Sequence, residues 1–313
     1  MSMPDRHRRT DLPASVTIYE VGARDGLQNE ATVVPVEVKA EFIRRLAGAG
    51  LSTIEATSFV SPKWVPQLAD ADDLMARLDS VHDLRLPVLV PNLAGLERAL
   101  AAGVREIAVF AAATETFSRR NLNRSLDEAL DMFAPVVVEA TRAGLWVRGY
   151  VSMCFGDPWE GRVPVQQVVG VSRRLLEMGC SELSLGDTTG VGTPGHVHAL
   201  IGGLVAAGIG LKQLAVHFHD TYGQALANTL AALEVGVSTV DASAGGLGGC
   251  PFARSATGNL ATEDLVWMLN GLGIETGVDL RQLVDTSLWM AAHLGRPSPS
   301  RVVTALAAAR AAG

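Results

Sequence analysis

The chain has 313 residues, of which 48% are hydrophobic and 19% are charged, and its formal net charge is −7. This length permits a large hydrophobic core without disulfide support, and the three cysteines form neither a CxxC zinc pattern nor a secreted disulfide framework. The acidic balance argues against nucleic acid or an anionic membrane surface as the main partner, and no apolar run approaches the roughly 18–20 residues of a membrane helix. We therefore expect a cytoplasmic protein that binds neither nucleic acid nor membrane.

Short β-branched runs alternate with longer amphipathic stretches along the whole chain. Helical patterns separate the runs, and several of them end in a Gly just before the next run, as the C-cap of a helix should. Eight strands, each followed by a helix, predict a parallel sheet that closes into a (β/α)₈ TIM barrel. In chain order, the predicted strands are 16–22, 52–59, 84–90, 106–112, 145–152, 181–187, 213–219 and 238–243.

The main alternative fold is an open, doubly wound sheet, which often carries GxGxxG after its first strand. Here the first strand leads into VGARDGLQNE, which is not a dinucleotide-binding fingerprint, so we favour the barrel. We assign residues 1–14 to a polar N-terminal tail, 15–285 to the catalytic barrel, and 286–313 to an extension of extra C-terminal helices. Catalytic groups of such a barrel lie at the carboxyl ends of the strands and on the loops that follow them.

A candidate metal site lies at the end of predicted strand seven, which reads VHFHD. Residues two apart on a strand point to the same side, so His217 and His219 share a face at the barrel mouth. Two inward imidazoles suit a divalent metal, and a hydrogen-bonded pair of structural histidines is the alternative. Asp25, after strand one, could add a carboxylate. Asn259 could add an amide oxygen, and a plain turn role for the Gly-Asn pair is the alternative. Such mixed ligands suit Mg²⁺, Mn²⁺ or redox iron, so the pattern does not choose the metal.

Three further charged residues occupy positions where a strand meets the barrel mouth or runs through apolar sequence. Arg24 is a fixed cation suited to stabilising an oxyanion or enolate, although a solvated Arg–Asp pair on a turn is the alternative. Glu55 lies within an otherwise apolar strand and Asp187 ends another. Because an unpaired buried carboxylate costs several kcal/mol, we expect each to face a partner in the site. A structural ion pair inside the barrel is the competing interpretation.

The stretch GGLGGCPFARSATGNLATED after strand eight is the most unusual segment of the chain. Its glycines predict a flexible loop that acts as a lid, with Cys250 at its centre. A thiol on a mobile polar loop is a candidate acid or base, and a free surface cysteine without a role is the alternative. Cys154 and Cys180 are predicted to be structural.

Long motifs along the chain closely resemble the hydroxymethylglutaryl-CoA lyases. The match runs in order over roughly residues 15–285, which is nearly the whole barrel. The resemblance implies a TIM barrel that cleaves 3-hydroxy-3-methylglutaryl-CoA to acetyl-CoA and acetoacetate. The motifs are VGARDGLQNE, EATSFVSPKWVPQLAD, VRGYVS, SLGDTTGVGTPG, AVHFHDTYGQALANTLAAL and GGLGGCPFARSATGNLATEDLVWML.

The resemblance also assigns roles to individual residues. It implies that Mg²⁺ or Mn²⁺ is held by Asp25, His217, His219 and Asn259. It further implies an acyl-CoA substrate and a homodimer. Asp25, His217 and a water are candidates for the group that takes the substrate proton. The remaining catalytic positions are Arg24, Glu55, Asp187 and Cys250, and the substrate-binding or site-supporting positions are Arg24, Arg148 and Glu263.

Three other functions compete with this interpretation. A lyase for a longer-branched 3-hydroxy-3-alkylglutaryl-CoA would carry the same motifs around a wider pocket. A Claisen-type synthase is disfavoured because the GGCP loop points to the lyase branch. A catalytically silent protein that only binds CoA esters is disfavoured because every candidate catalytic residue is retained.

Overall fold

Each of the eight predicted strands is present in the computed structural model, which describes residues 3–79, 84–249 and 258–311. Predicted strand two is divided in two, so nine strands make one sheet, in the order β2-β1-β9-β8-β7-β6-β5-β4-β3. All neighbouring strands run parallel. The strands are β1 Thr17–Glu20, β2 Thr53–Ile54, β3 Thr57–Ser58, β4 Val88–Leu89, β5 Glu106–Ala112, β6 Trp146–Ser152, β7 Glu182–Asp187, β8 Leu214–Phe218 and β9 Thr239–Ala242.

The sheet closes on itself because β2 and β3 are two parts of one barrel strand. β2 pairs with β1, whereas β3 pairs with β4. Between them, the Glu55 amide donates to Glu20 O at 2.8 Å and the Ala56 amide donates to Pro87 O at 3.0 Å. This strand therefore bonds to both neighbours and completes an eight-stranded parallel barrel, which confirms the predicted fold class. The first and last strands, β1 and β9, pair along the whole of β1, and we call this pairing the seam.

Among the residues described, a helix follows every barrel strand, and α4, α10 and α11 are additional to these eight. Glycines end helices where they were predicted to do so: Gly179 follows α6 with a φ of 118° and Gly50 lies between α1 and β2 with a φ of 97°. The helices are α1 Val36–Gly48, α2 Ala71–Leu78, α3 Leu93–Ala101, α4 Glu115–Leu122, α5 Leu126–Arg142, α6 Val165–Met178, α7 Pro194–Ala206, α8 Ala225–Glu234, α9 Thr262–Gly271, α10 Leu280–Leu294 and α11 Arg301–Ala311.

Side chains alternate along the strands between an apolar layer and a polar barrel interior. On β6, Val147 and Val151 pack into the hydrophobic core under the helices, while Arg148 and Tyr150 alternate with them and contact each other. The interior side chains of Arg148, Ser184 and Asp241 belong to residues that are at most 2% exposed. Polar groups buried this deeply need partners, and these groups lie directly below the barrel mouth.

The terminal segments of the described part of the chain both pack against the closed barrel. The His7 amide donates to Gly271 O at 2.8 Å, which ties the N-terminal segment to the end of α9. At the other end, Asp264 of α9 accepts from Ser300 Oγ at 2.7 Å and from the Val302 amide at 2.9 Å, which fixes the start of α11. The predicted boundary at residue 285 falls inside α10. In the part of the chain that the structure describes, no helix has both the length and the apolar character needed to cross a bilayer.

Candidate active site and metal centre

The first element of the site is a short π-helical turn, Gly22–Gly26, that directly follows β1. The buried Glu20 side chain at the end of β1 accepts from the Gly22 amide at 2.8 Å and from the Ala244 amide at 2.8 Å. This carboxylate therefore fastens the turn after β1 to the turn after β9. Arg24 and Asp25 lie on the first of these turns, at the carboxyl end of the barrel, where the sequence placed them.

Arg24 is 6% exposed and is held by two carboxylates. Its Nη1 donates to Asp25 Oδ1 at 2.8 Å, and its Nε and Nη2 lie 2.7 and 2.6 Å from Glu55 Oε2. Burial alone would lower the pKa of Arg24, but the charges of Glu55 and Asp25 outweigh burial and raise that pKa above its ordinary value. The guanidinium is thus a permanent, oriented cation at the barrel mouth.

The two histidines of β8 and its carboxyl end come together with Asp25. The ring centroids of His217 and His219 are 5.3 Å apart. One potential ligand atom from each of Asp25, His217 and His219 lies within 4.8 Å of the others. Asn259 joins this group, because its Nδ2 donates to Asp25 Oδ2 at 2.8 Å. The structure therefore brings all four predicted metal ligands into one cluster.

The atoms of this cluster fit a divalent cation. Two buried acceptors, His219 Nδ1 and Asn259 Oδ1, have no hydrogen-bond partner within the described ranges. Burial and the neighbouring His217 lower the pKa of His219 to about 4. Burial alone would raise the pKa of Asp25, but Arg24 and the two histidines lower it to about 2. A neutral imidazole and an ionised carboxylate are the forms that bind metal, and nitrogen and oxygen donors without thiolate suit a hard or borderline ion.

Asp187 ends β7 beside the histidine strand and is 1% exposed. Its Oδ2 accepts from the Gly192 amide at 2.9 Å, so its partner is the backbone of the following loop, not a charged side chain. Its Oδ1 has no partner among the residues described. Burial raises the pKa of Asp187 to about 6.

Two of the predicted supporting residues lie behind the mouth. Arg148 is fully buried in the barrel interior, where its Nη2 donates to Asp241 Oδ1 at 2.6 Å. Glu263 is also fully buried and accepts from the Gly245 amide, at 2.9 Å to Oε2, and from Ser287 Oγ. Burial raises the pKa of Glu263 to about 8. These contacts place both residues around the site, not in it.

The three cysteines separate into two groups. Cys154 and Cys180 are buried, as predicted, and Cys154 Sγ donates to Val151 O at 3.0 Å. Burial raises the pKa of the Cys180 thiol to about 12 and that of Cys154 further above its ordinary value. Cys250 and the centre of its predicted lid lie outside the described residues.

Asp241 is the site residue that sequence reasoning missed. It lies on β9 in register with His217 on β8, and its Oδ2 is 3.1 Å from His217 Nδ1. A carboxylate within the apolar run STVDAS was a usable signal, because the same feature singled out Glu55. The pairing with His217 depends on the register between two strands, which the sequence does not display.

Comparison with known proteins identifies the family. The HMGL-like family model matches residues 15–289. The mitochondrial hydroxymethylglutaryl-CoA lyase of Arabidopsis thaliana is 52% identical over 295 residues, covering 94% of this chain and 63% of that protein, so this chain spans a little under two thirds of that relative.

Two solved structures share the fold closely. The hydroxymethylglutaryl-CoA lyase of Pseudomonas aeruginosa has a TM-score of 0.93 at 48% identity, covering 96% of this chain and 99% of that one. An HMG-CoA lyase of Acinetobacter baumannii, in complex with coenzyme A and 3-methylmalate, has a TM-score of 0.89 at 37% identity, covering 96% and 97%. The chain therefore belongs to the HMGL-like family, as the motifs predicted, and is a homologue of the hydroxymethylglutaryl-CoA lyases.

Proposed function

We propose that this chain is a carbon–carbon lyase that cleaves 3-hydroxy-3-methylglutaryl-CoA to acetyl-CoA and acetoacetate at the carboxyl end of its barrel. The observation that carries the proposal is one cluster. A buried, carboxylate-anchored Arg24 lies beside the Asp25–His217–His219 group in a chain homologous to enzymes of that name. An acyl-CoA thioester is accordingly the substrate class, and coenzyme A is bound in the Acinetobacter relative.

Asp25, His217, His219 and Asn259 would hold the divalent cation, which we propose to be Mg²⁺ or Mn²⁺. Such an ion would act as a Lewis acid that lowers the pKa of the substrate hydroxyl and would orient the neighbouring carboxylate of the substrate. The donor set supports these ions because it offers imidazole, carboxylate and amide groups without thiolate.

The reaction breaks one carbon–carbon bond and moves one proton from oxygen to carbon. The tertiary hydroxyl of the substrate loses its proton and becomes the ketone of acetoacetate as the C2–C3 bond breaks. The electron pair of that bond passes to the thioester as an enolate, which takes up a proton to become acetyl-CoA. A catalyst must therefore accept a proton, stabilise an enolate oxygen and return a proton.

Arg24 suits the second task, the stabilisation of the enolate oxygen. Arg24 is fixed by Glu55 and Asp25, so its charge needs no reorganisation when the enolate oxygen develops. The hydroxyl proton passes to Asp25, to His217 or to a water at the mouth, where the Asp25 side chain is 24% exposed and His217 Nδ1 is engaged with Asp241. From the sequence alone, we assign the return of the proton to Cys250, on the segment that the glycines predict to be a lid. Glu55, Asp187, Arg148 and Glu263 would position these groups.

The experiment is an assay of purified protein with Mg²⁺ and a panel of acyl-CoA thioesters. We expect acetyl-CoA and acetoacetate in equal amounts from 3-hydroxy-3-methylglutaryl-CoA, loss of turnover with EDTA, and recovery with Mg²⁺ or Mn²⁺. Faster turnover of a longer 3-alkyl analogue would reassign the substrate. Binding of all thioesters without turnover would make the chain a silent CoA-ester-binding protein.

The remaining proposals concern the domain limits, the oligomeric state and the cellular location of the protein. We propose a barrel of residues 15–285 with a tail and a C-terminal extension, a homodimer and a cytoplasmic location. Light scattering on the purified chain tests the dimer, and cell fractionation tests the location.

A further inference from the structure

We propose that Asp241 is a positioning residue that holds His217 in one tautomer, with the proton on Nδ1 and the lone pair on Nε2 directed to the metal. The inference rests on the proposed metal centre and adds to it Asp241, which is not one of the predicted ligands. Its basis is a chain of buried hydrogen bonds beneath the barrel mouth.

The first link in this chain is set by strand register. His217 on β8 and Asp241 on β9 are direct partners in the parallel pairing. Asp241 Oδ2 lies 3.1 Å from His217 Nδ1, which is hydrogen-bond distance. The Asp241 side chain has no exposed surface and that of His217 is 12% exposed, so water does not compete freely for this contact.

The second link fixes Asp241 itself. Arg148 Nη2 donates to Asp241 Oδ1 at 2.6 Å, and Ser184 Oγ donates to Oδ2 at 2.8 Å. Arg148 is in turn immobilised, because its Nε is 3.0 Å from Glu182 Oε1 and its guanidinium lies 3.7 Å from the centroid of the Tyr19 ring. Both oxygens of Asp241 therefore serve as acceptors, and the carboxylate is not free to rotate.

The tautomer of His217 follows from these contacts. A carboxylate that only accepts requires His217 Nδ1 to donate, so Nδ1 carries the proton and Nε2 keeps its lone pair. A metal-binding histidine usually donates its other ring N–H to a carboxylate, carbonyl or water, which fixes the ring for coordination. His219 differs, because its Nδ1 has no partner in the part of the chain described. Loss of Asp241 should therefore disturb one of the two imidazoles and not the other.

Asp241→Asn is the informative variant because it preserves shape and reverses the hydrogen bond. Arg148 still requires an oxygen at the Oδ1 position, so the new amide nitrogen faces His217 and Ser184. That nitrogen donates to His217 Nδ1 and forces the proton to Nε2, where it blocks coordination. Ser184→Ala is the matched control, since it removes the other donor to the same oxygen without reversing any bond.

The experiment measures metal affinity and tautomer, with no substrate present. Mn²⁺ affinity is taken from the electron paramagnetic resonance signal of the free ion. The tautomer is taken from ¹⁵N-histidine NMR of metal-free protein at pH 8, with the His217 signals assigned by their loss in His217→Gln. We expect Asp241→Asn to bind Mn²⁺ roughly 10–100-fold more weakly and to carry its His217 proton on Nε2, while Ser184→Ala resembles the parent chain in both.

Two results would overturn the inference. One is parent-like Mn²⁺ affinity in a folded Asp241→Asn protein. The other is a His217 proton on Nε2 in the parent chain. This result can be obtained even if the Asp241→Asn protein does not fold. Failure of the parent chain itself to bind Mn²⁺ would overturn the proposed metal centre, which is a separate outcome.

Discussion

Glu55 receives both Nε and Nη2 of Arg24 on one oxygen, Oε2, at 2.7 and 2.6 Å. Glu55 is fully buried, and its other oxygen has no hydrogen-bond partner within the described parts of the chain. The pair joins the turn after β1 to the divided strand beside it. It therefore both neutralises a buried cation and sets the direction in which that cation points.

Removal of Glu55 should destabilise the fold more than neutralisation of Glu55. Glu55→Ala leaves the buried Arg24 with Asp25 as its remaining carboxylate, and breaking a buried pair in this way costs about 3–5 kcal/mol. Glu55→Gln keeps an oxygen acceptor for Arg24, so its loss of stability should be smaller. Urea unfolding of both variants measures the difference. If the parent chain and both variants had equal free energies of unfolding, the contact between Glu55 and Arg24 would not support the fold.

Arg24→Gln tests the role of the guanidinium in catalysis. If Arg24 stabilises the enolate, kcat should fall by roughly 10²–10³ or more, as it does when an oxyanion donor is removed. KM should change much less, because the charge develops only in the transition state. Steady-state kinetics separate the two constants. A normal kcat with a raised KM would reduce Arg24 to a substrate-binding residue.

Replacement of the proposed ligands should remove the metal without unfolding the chain. Asp25→Ala and the double variant His217→Ala/His219→Ala should lose stoichiometric Mn²⁺ and lose activity, while their circular dichroism stays unchanged. His293→Ala is the control, because His293 lies on α10 and bonds the Trp289 carbonyl of its own helix. Metal content by atomic spectroscopy decides, and normal Mn²⁺ affinity in the double variant would refute the site.

Ionisation of the buried Glu263 should lower the free energy of unfolding as pH rises. Burial raises the pKa of Glu263 to about 8 from the usual 4.5, so the folded chain favours the protonated form. The stabilising contribution is therefore fully present below about pH 4.5 and is lost as pH rises through 8, by up to about 1.4 kcal/mol per unit.

Glu263→Gln provides the comparison for this pH effect. Its amide oxygen can accept from both the Gly245 amide and Ser287 Oγ, as Oε1 of Glu263 does. Glu20, whose pKa burial raises to about 7, is present in both proteins, and its charge adds to the upward shift in the pKa of Glu263. Urea unfolding between pH 5 and 8.5 should show the parent losing stability relative to the variant. Parallel curves would contradict the prediction.

The cysteines should differ sharply in reactivity. Cys154 and Cys180 are 3% and 4% exposed, and burial raises the pKa of both thiols, so the reactive thiolate is scarce at neutral pH. Iodoacetamide should therefore label Cys250 first in native protein, with parallel loss of activity that a substrate analogue prevents. Mass-spectrometric mapping identifies the labelled residue. Full activity with Cys250 completely labelled would remove that thiol from the mechanism.

The barrel could be predicted because its strands and helices repeat a strong pattern. α4 was not predicted, since its sequence ETFSRRNL has little apolar periodicity. It is held instead by contacts with α5, such as the Leu126 amide donating to Glu115 Oε2 at 2.9 Å. The division of strand two also escaped prediction, because it arises where the run changes from one neighbouring strand to the other.

The ligand cluster could be predicted because a closed barrel brings the ends of all its strands to one mouth. What could not be predicted is which buried groups pair beneath the mouth. Arg148 was placed in the site by resemblance, and its partner Asp241 lies 93 positions away. Such a pairing depends on barrel geometry and strand register, neither of which is written in local sequence.

The seam between β1 and β9 gives the metal centre a place in the folding of the chain. Asp25 and Asn259 are 234 positions apart and form a hydrogen bond of 2.8 Å beside the seam. An open sheet that has not joined its first and last strands would present the two histidines and Asn259, which pairs with His219, without this carboxylate. Contacts this distant in sequence are costly to form, so Mn²⁺ uptake would follow closure of the barrel. The rate of Mn²⁺ uptake would then report when the barrel closes. The free energy of ion binding would then stabilise the closed barrel more than an earlier, open intermediate.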